Sequence, residues 1–125
     1  LKQLLPMFRL RLGSAIGSGK QYMPWIHIDD LCQIYLKAIL DSTMQGPFNA
    51  AVNDKTTNTI FSESLAKVFG YSIWLPKVPA FVLQLVLGEM AQLVLKGRRV
   101  SSDKIEKTGF QFQYTDLEKA LRNCL

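Results

Sequence analysis

The chain has 125 residues, of which 48% are hydrophobic and 20% are charged. This composition is that of one folded globular domain and excludes a disordered chain. The net charge is +5, and Lys2, Arg9, Arg11 and Lys20 all precede the first acidic residue, Asp29. Such a charge suggests nucleic acid as a partner, but no zinc finger, recognition helix or RNP-like pattern accompanies it. We therefore expect no nucleic-acid binding, and interpret the basic loop as facing a small anion or as a solvated surface.

The two cysteines and the single histidine favour neither a disulfide nor a metal site. Cys32 and Cys124 lie far apart without metal-ligand spacing, which is typical of reduced thiols in an intracellular protein. His27 has no second histidine to complete a zinc site. We accordingly expect a cytoplasmic protein with no metal, in which His27 is a structural residue bonded to a backbone group.

The first third of the chain is predicted to surround a glycine-rich loop. Residues 1–8 suggest the end of a helix or an extended arm, broken around Pro6. A short strand is predicted over residues 9–12, then the loop at 13–20, then a second strand at 23–28.

The middle of the chain alternates helices with short strands. A helix is predicted over residues 31–40, with Asp29 or Asp30 as its cap, followed by a strand at 48–52. The next helix, at 59–69, is predicted to have Thr57 or Asn58 as its cap and Gly70 just past its end.

The last third is predicted to be mostly helical. A strand is expected at 71–75, and two short buried helices at 79–96, divided at Gly88 and Glu89. This apolar stretch is too short to span a bilayer, so we expect no integral membrane segment. A brief helix is predicted from Ser101 or Ser102 to Lys107, and the sequence at 115–118 is typical of a capping box that opens the last helix.

Six residues are candidates for contact with a substrate. Gly17, Gly19, Lys20 and Gln21 form a loop in which backbone N–H groups and one ammonium group can surround a phosphate, although the Walker spacing is absent. Trp25 can line a pocket or fill the core, and Arg98 is a further cation for an anionic partner.

Asp29 and Asp30 have two interpretations. Adjacent carboxylates are a possible acid–base pair, but a helix cap beside one exposed acid explains them equally well. We favour the second interpretation and predict no catalytic residue in this chain.

Residues 17–31 (GSGKQYMPWIHIDDL) and 46–52 (GPFNAAV) resemble extended short-chain dehydrogenase/reductases of the sugar-nucleotide epimerase type. The closer resemblance is to the branch called epimerase family proteins, whose C-terminal helical segment is similar to residues 87–100 and 109–112. The resemblance implies an α/β fold: the substrate-side, C-terminal portion of an extended Rossmann-type enzyme, with short strands and about five helices. It also implies two regions, an epimerase-like substrate region at 1–75 and a helical C-terminal domain at 76–125.

The resemblance implies NAD(P) as cofactor of a full-length parent, bound by an N-terminal Rossmann domain. The chain lacks the family's glycine fingerprint and its Tyr-x-x-x-Lys pair, so we expect neither cofactor binding nor catalysis by these 125 residues alone. The group's basic residue before the strand aromatic is replaced by Met23 or Pro24, which suggests a different anionic substrate.

Two other functions remain open from the sequence. The chain is an alternative candidate for a self-associating interaction module, a possible homodimer, with residues 79–95 as the contact surface. A weaker alternative is a basic protein that binds nucleic acid or a membrane surface, with affinity that falls steeply with salt.

Overall fold

The computed structural model of the chain describes residues 5–87 and 97–125. Within these ranges the chain forms six helices, and no strand longer than an isolated bridge. The helices in chain order are α1 (Leu5–Arg9), α2 (Ile28–Leu40), α3 (Asn58–Val68), α4 (Ala80–Leu87), α5 (Asp103–Glu106) and α6 (Leu117–Cys124). The predicted division of residues 79–96 into two helices extends beyond the described residues.

Helix α2 begins three residues earlier than the sequence predicted, because its cap is a histidine. The side chain of His27 accepts a hydrogen bond from the backbone N–H of Asp29, with 3.2 Å between Nδ1 and N. The prediction that Asp29 or Asp30 is the cap was wrong: both lie in the first turn, where acidic groups favour the helix dipole. The prediction of a structural histidine bonded to a backbone group was confirmed.

Helix α3 lies one residue before its predicted bounds of 59–69, and the cap of α6 lies one residue after the predicted one. Thr57 caps α3 through the backbone N–H of Ile60, and Gly70 follows its C-cap at φ +76°. Helix α6 begins after Asp116, whose carboxylate accepts from the N–H of Lys119 at 2.9 Å. Asp116, not Thr115, is therefore the cap of the last helix.

The four predicted short strands do not form as ladders among the described residues. Residues 9–12 complete α1 and its following turn, so that strand prediction was wrong. Residues 23–28 are extended up to the start of α2, but their backbone bonds to other described segments are limited to those from Met23 N to Thr56 O and from Val52 N to Trp25 O. One or two bonds do not make a strand, since each residue of a ladder needs a partner on a neighbouring segment.

The hydrophobic core joins the two ends of the chain. It is formed by the buried side chains of α1, α3 and α6, against which the half-buried aromatic rings of the connecting segments pack. The buried residues of this core are Phe8, Leu65, Ala66, Leu117 and Leu121. Burial of these groups brings α3 and α6 into direct contact across about fifty residues of sequence.

A buried carboxylate fixes the approach to α6. Asp30, in the first turn of α2, is fully buried and accepts hydrogen bonds from the backbone N–H groups of Gln113 (2.9 Å) and Tyr114 (3.0 Å). The ring of Tyr114 also stacks on His27, with centroids 3.7 Å apart and an interplanar angle of 21°. The start of α2 therefore holds the segment that leads into α6.

Substitution Asp30→Asn is expected to destabilise the chain by about 2–3 kcal/mol, because one of two charge-assisted bonds becomes an N–H facing an N–H. Urea unfolding followed by circular dichroism measures the change. The matched control is Asp29→Asn, whose carboxylate is exposed, and its expected cost is below about 1 kcal/mol. Equal costs for the two variants would contradict the assigned role of Asp30.

Candidate functional site

The glycine-rich loop folds as a tight turn that is held from three sides. Gly17 and Gly19 both adopt positive φ, +58° and +72°, in which glycine is favoured over residues that carry a Cβ. The N–H of Gly19 donates to the carbonyl of Ile16, and the N–H of Gly17 donates to the carbonyl of Val78 at 2.8 Å. The second bond belongs to a parallel bridge between Ile16 and Val78.

The start of α3 provides the second side of the loop. The buried side-chain amide of Asn58 accepts from the N–H of Ile16 at 2.6 Å through Oδ1, while the backbone N–H of Asn58 donates to the carbonyl of Gln21. Thr59 donates to the carbonyl of Gly19 through both its backbone N–H and its hydroxyl, each at 3.0 Å. The loop backbone is thus fixed before any ligand binds.

Gly97 provides the third side. A Cβ added at Gly97 would overlap the backbone carbonyl of Tyr22, so only glycine allows this approach. As a result Arg98, which lies nearly eighty residues beyond the loop in the sequence, directly follows a residue whose backbone contacts the loop's end.

Three cationic side chains lie on or beside the loop. Lys20 is exposed at its tip, and Arg98 is exposed next to the Gly97 contact. Lys77 donates from Nζ to the carbonyl of Ser18 at 2.9 Å. The role of Lys77 was not predicted from the sequence, because its position depends on pairing across about sixty residues. The backbone N–H groups of Gly17, Gly19 and Lys20 already donate within the chain, so the positive charge of these side chains is what would attract an anion.

Gln21 and Trp25 are engaged in the structure of the chain itself. Gln21 is buried and donates to the carbonyl of Ile16 at 2.9 Å, so its amide supports the turn. The indole N–H of Trp25 donates to Asp54 and to Thr56, both at 3.1 Å, and its ring packs against the core. Their contact with a substrate stays a prediction, and the geometry gives both a structural role.

Asp54 is the acidic group whose ionisation the structure favours in this region. Partial burial opposes its charged form, but hydrogen bonds from Thr56 and Trp25 outweigh burial and lower the pKa of Asp54 below its ordinary value of 3.8. The carboxylate therefore remains charged at neutral pH and holds the Trp25 indole in place.

His27, Asp29 and Asp30 do not form an acid–base site. Nδ1 of His27 lies 3.5 Å from an Asp29 oxygen, but it accepts from the backbone as a helix cap. The Asp30 carboxylate is occupied by two backbone N–H groups. Over the described ranges, no three histidine, cysteine or acidic side chains come together in a way that would hold a metal ion.

Gly19 and Gly70 provide a matched test of the loop, since both have positive φ (+72° and +76°) but only Gly19 is crowded. Gly70→Ala is expected to cost about 1 kcal/mol, because alanine is strained at this positive φ. Steric overlap adds nothing to this cost, since no atom lies within 4 Å of the new Cβ. Gly19→Ala has the same strain and also displaces the Thr59 hydroxyl, adding about 1–2 kcal/mol. Thermal and urea unfolding measure both, and equal costs would contradict the described packing of the loop.

Known proteins similar to this chain share one family name. Residues 78–124 match the family described as a domain of unknown function, DUF1731. The epimerase family protein YfhF of Bacillus subtilis is 37% identical over 98% of this chain, and the mouse epimerase family protein SDR39U1 is 40% identical over 98%. The matches cover only 40% and 41% of those relatives, so the chain spans about two fifths of their length.

A solved structure agrees with these relatives. The crystal structure of human epimerase family protein SDR39U1 (isoform 2) with NADPH superposes with a TM-score of 0.91 at 34% identity. It covers 98% of this chain, which in turn covers 41% of that structure. The predicted boundary at residues 75 and 76 stays a prediction. The fold and the relatives together show that nearly the whole chain is similar to the C-terminal part of epimerase family proteins.

Proposed function

We propose that this chain is the substrate-binding, C-terminal portion of an NAD(P)-dependent epimerase- or reductase-like protein. The observation that supports this most directly is the similarity of nearly the whole chain to the C-terminal part of longer epimerase family proteins. The reaction of the longer protein would be hydride transfer at a carbinol or carbonyl carbon. The chain would contribute substrate binding and orientation rather than the reacting groups.

The preorganised loop is the part of the chain best suited to that role. Its backbone is fixed by Asn58, Thr59 and Val78, so binding an anion requires little additional ordering. Lys20 and Arg98 present exposed charge beside it, and Lys77 adds a third cation. A phosphate or carboxylate of a small substrate, such as the diphosphate of a nucleotide sugar, is the ligand class that these groups favour.

The cofactor would bind outside this chain. The human relative's structure contains NADPH, which supports NAD(P) for the longer family members. The glycine fingerprint and the Tyr-x-x-x-Lys pair are absent from these 125 residues. The missing groups would be supplied by an N-terminal Rossmann domain.

An NADPH fluorescence titration tests the proposal. The chain alone and a fusion protein, in which it follows the unmatched N-terminal part of the Bacillus subtilis relative, are titrated side by side. We expect saturable binding by the fusion protein only. If a folded fusion protein does not bind NADPH, the oxidoreductase proposal fails; binding by the chain alone would show that the cofactor site has been misplaced.

A second candidate function, a self-associating interaction module, is favoured by exposed apolar groups on α4. Phe81 and Leu85 are 69% and 87% exposed, well above what a core-facing helix leaves open. Light scattering at two concentrations distinguishes the functions. A stable dimer of the chain would favour the interaction module, and a monomer with a cooperative thermal transition would favour the substrate-binding portion.

Lys20→Gln and Arg98→Gln are each expected to weaken UDP binding by the fusion protein about three- to tenfold, because each removes one charge facing the phosphates. Isothermal titration at two salt concentrations measures the change, and the variants should show a weaker salt dependence. Lys67→Gln, at an exposed position on α3, is the matched control and should leave affinity unchanged. If Lys20→Gln and Arg98→Gln left the affinity for UDP as unchanged as the control does, the assignment of the loop as an anion site would be refuted.

A further inference from the structure

Helix α4 begins directly beside the glycine-rich loop. Val78, two residues before the helix, donates to the carbonyl of Ala15 at 2.9 Å and accepts from the N–H of Gly17 at 2.8 Å. Lys77, the preceding residue, donates to a loop carbonyl through its ammonium group. The chain therefore passes from the cations of the loop to the first residue of α4 within three residues.

Helix α4 is apolar, yet it is exposed to solvent. Its sequence, AFVLQLVL, contains no charged residue, and its one polar side chain is that of Gln84. Phe81 and Leu85 lie one turn apart on the same side of the helix and are 69% and 87% exposed. We call these two side chains the apolar stripe of α4. An uncharged helix with such a stripe normally packs against another apolar surface, either of a protein or of a ligand.

The apolar stripe lies within reach of a molecule that is bound at the loop. Phe81 follows Val78 by three residues, so the Cα atoms of the two are at most about 11 Å apart. Leu85 lies about 6 Å further along the helix axis. One ligand of moderate length is consequently able to contact both the loop and the stripe.

The two neighbouring surfaces select for opposite chemistry. Lys20, Lys77 and Arg98 attract an anionic group, and a phosphate or a carboxylate satisfies them best. The apolar stripe offers no hydrogen-bond partner, so hydroxyl groups that bind there lose water without compensation. Methylene groups, in contrast, gain free energy when the stripe removes them from water. A molecule that is charged at one end and apolar at the other fits both surfaces.

We propose that the loop and α4 together bind an anionic amphiphile, a single molecule with its phosphate or carboxylate at the loop and its alkyl chain on the apolar stripe. This inference rests on the proposed function and names the chemical class of the substrate. A second copy of the chain is a competing occupant, but an uncharged α4 in a partner would leave the cations of the loop unused. A membrane surface is another, but helices that bind membranes in this way carry basic residues on their own polar face, and α4 has none.

Isothermal titration with two alkyl phosphates tests the proposal. The fusion protein of the NADPH titration is titrated with butyl phosphate and with octyl phosphate, each kept below its critical micelle concentration. We expect octyl phosphate to bind at least about tenfold more tightly. Each fully buried methylene group contributes about fourfold in affinity, and the stripe covers only one side of the alkyl chain. Salt should weaken both ligands equally, because they share the same charged group.

Substitutions on α4 and in the loop separate the two ends of the site. The double variant Phe81→Gln, Leu85→Gln should lower the affinity for octyl phosphate about tenfold, to that for butyl phosphate. Gln84→Ala is the matched control, at an exposed residue about 100° around the same helix, and it should keep the full preference for octyl phosphate. Lys20→Gln should weaken both ligands by the same factor and leave their ratio unchanged.

Equal affinities for the two phosphates would overturn the proposal and leave the loop as a site for small anions. Octyl phosphate that binds only above its critical micelle concentration would overturn it in favour of a membrane surface. A dimer that Leu85→Gln dissociates would overturn it in favour of a second copy.

The NADPH titration separates this inference from the proposed function. Binding of NADPH without a preference for octyl phosphate refutes the amphiphile site alone. A preference for octyl phosphate without NADPH binding supports the amphiphile site and refutes the cofactor-dependent function alone.

Discussion

The structure depends most on the two hydrogen bonds that the buried carboxylate of Asp30 accepts from Gln113 and Tyr114. A carboxylate that is buried away from water is stable only when nearby groups donate hydrogen bonds to it, and two adjacent backbone N–H groups donate to its two oxygens. The same contact positions Tyr114 over His27, the cap of α2. One acidic residue therefore couples the start of the longest helix to the segment that delivers α6 to the core.

The glycine loop and the core depend on that coupling in different ways. The core brings α3 against α6, and the start of α3 then supplies Asn58 and Thr59 to the loop. The loop is built from backbone contacts that only glycine permits at residues 19 and 97. Its geometry is consequently a product of packing elsewhere, and the exposed cations around it have a rigid base from which to act on an anion.

Local chemistry determined what the sequence predicted well. Helices α2 and α3 follow from apolar periodicity, and α6 follows from the capping pattern at 115–118. The Thr57 cap and Gly70 terminus follow from side-chain and backbone preferences that need no distant partner. Features that depend on long-range pairing were not predicted. Lys77 reaches the loop through the bridge at Val78, and Asp30 is buried by a segment about eighty residues away. The prediction of Asp29 or Asp30 as the cap of α2 was wrong, since histidine is an uncommon cap.

The missing strands and the exposed apolar side chains of α2 have the same physical cause. An extended segment becomes a strand only when a neighbour accepts and donates along its length, and residues 23–28 have such a neighbour at isolated points. Exposed apolar side chains such as Tyr35, Ile39 and Leu40 become buried only when a second layer packs on the helix. Both deficits lie at adjacent positions of the chain, on either side of His27. A second layer that gave hydrogen-bond partners to residues 23–28 and apolar contacts to α2 would satisfy both.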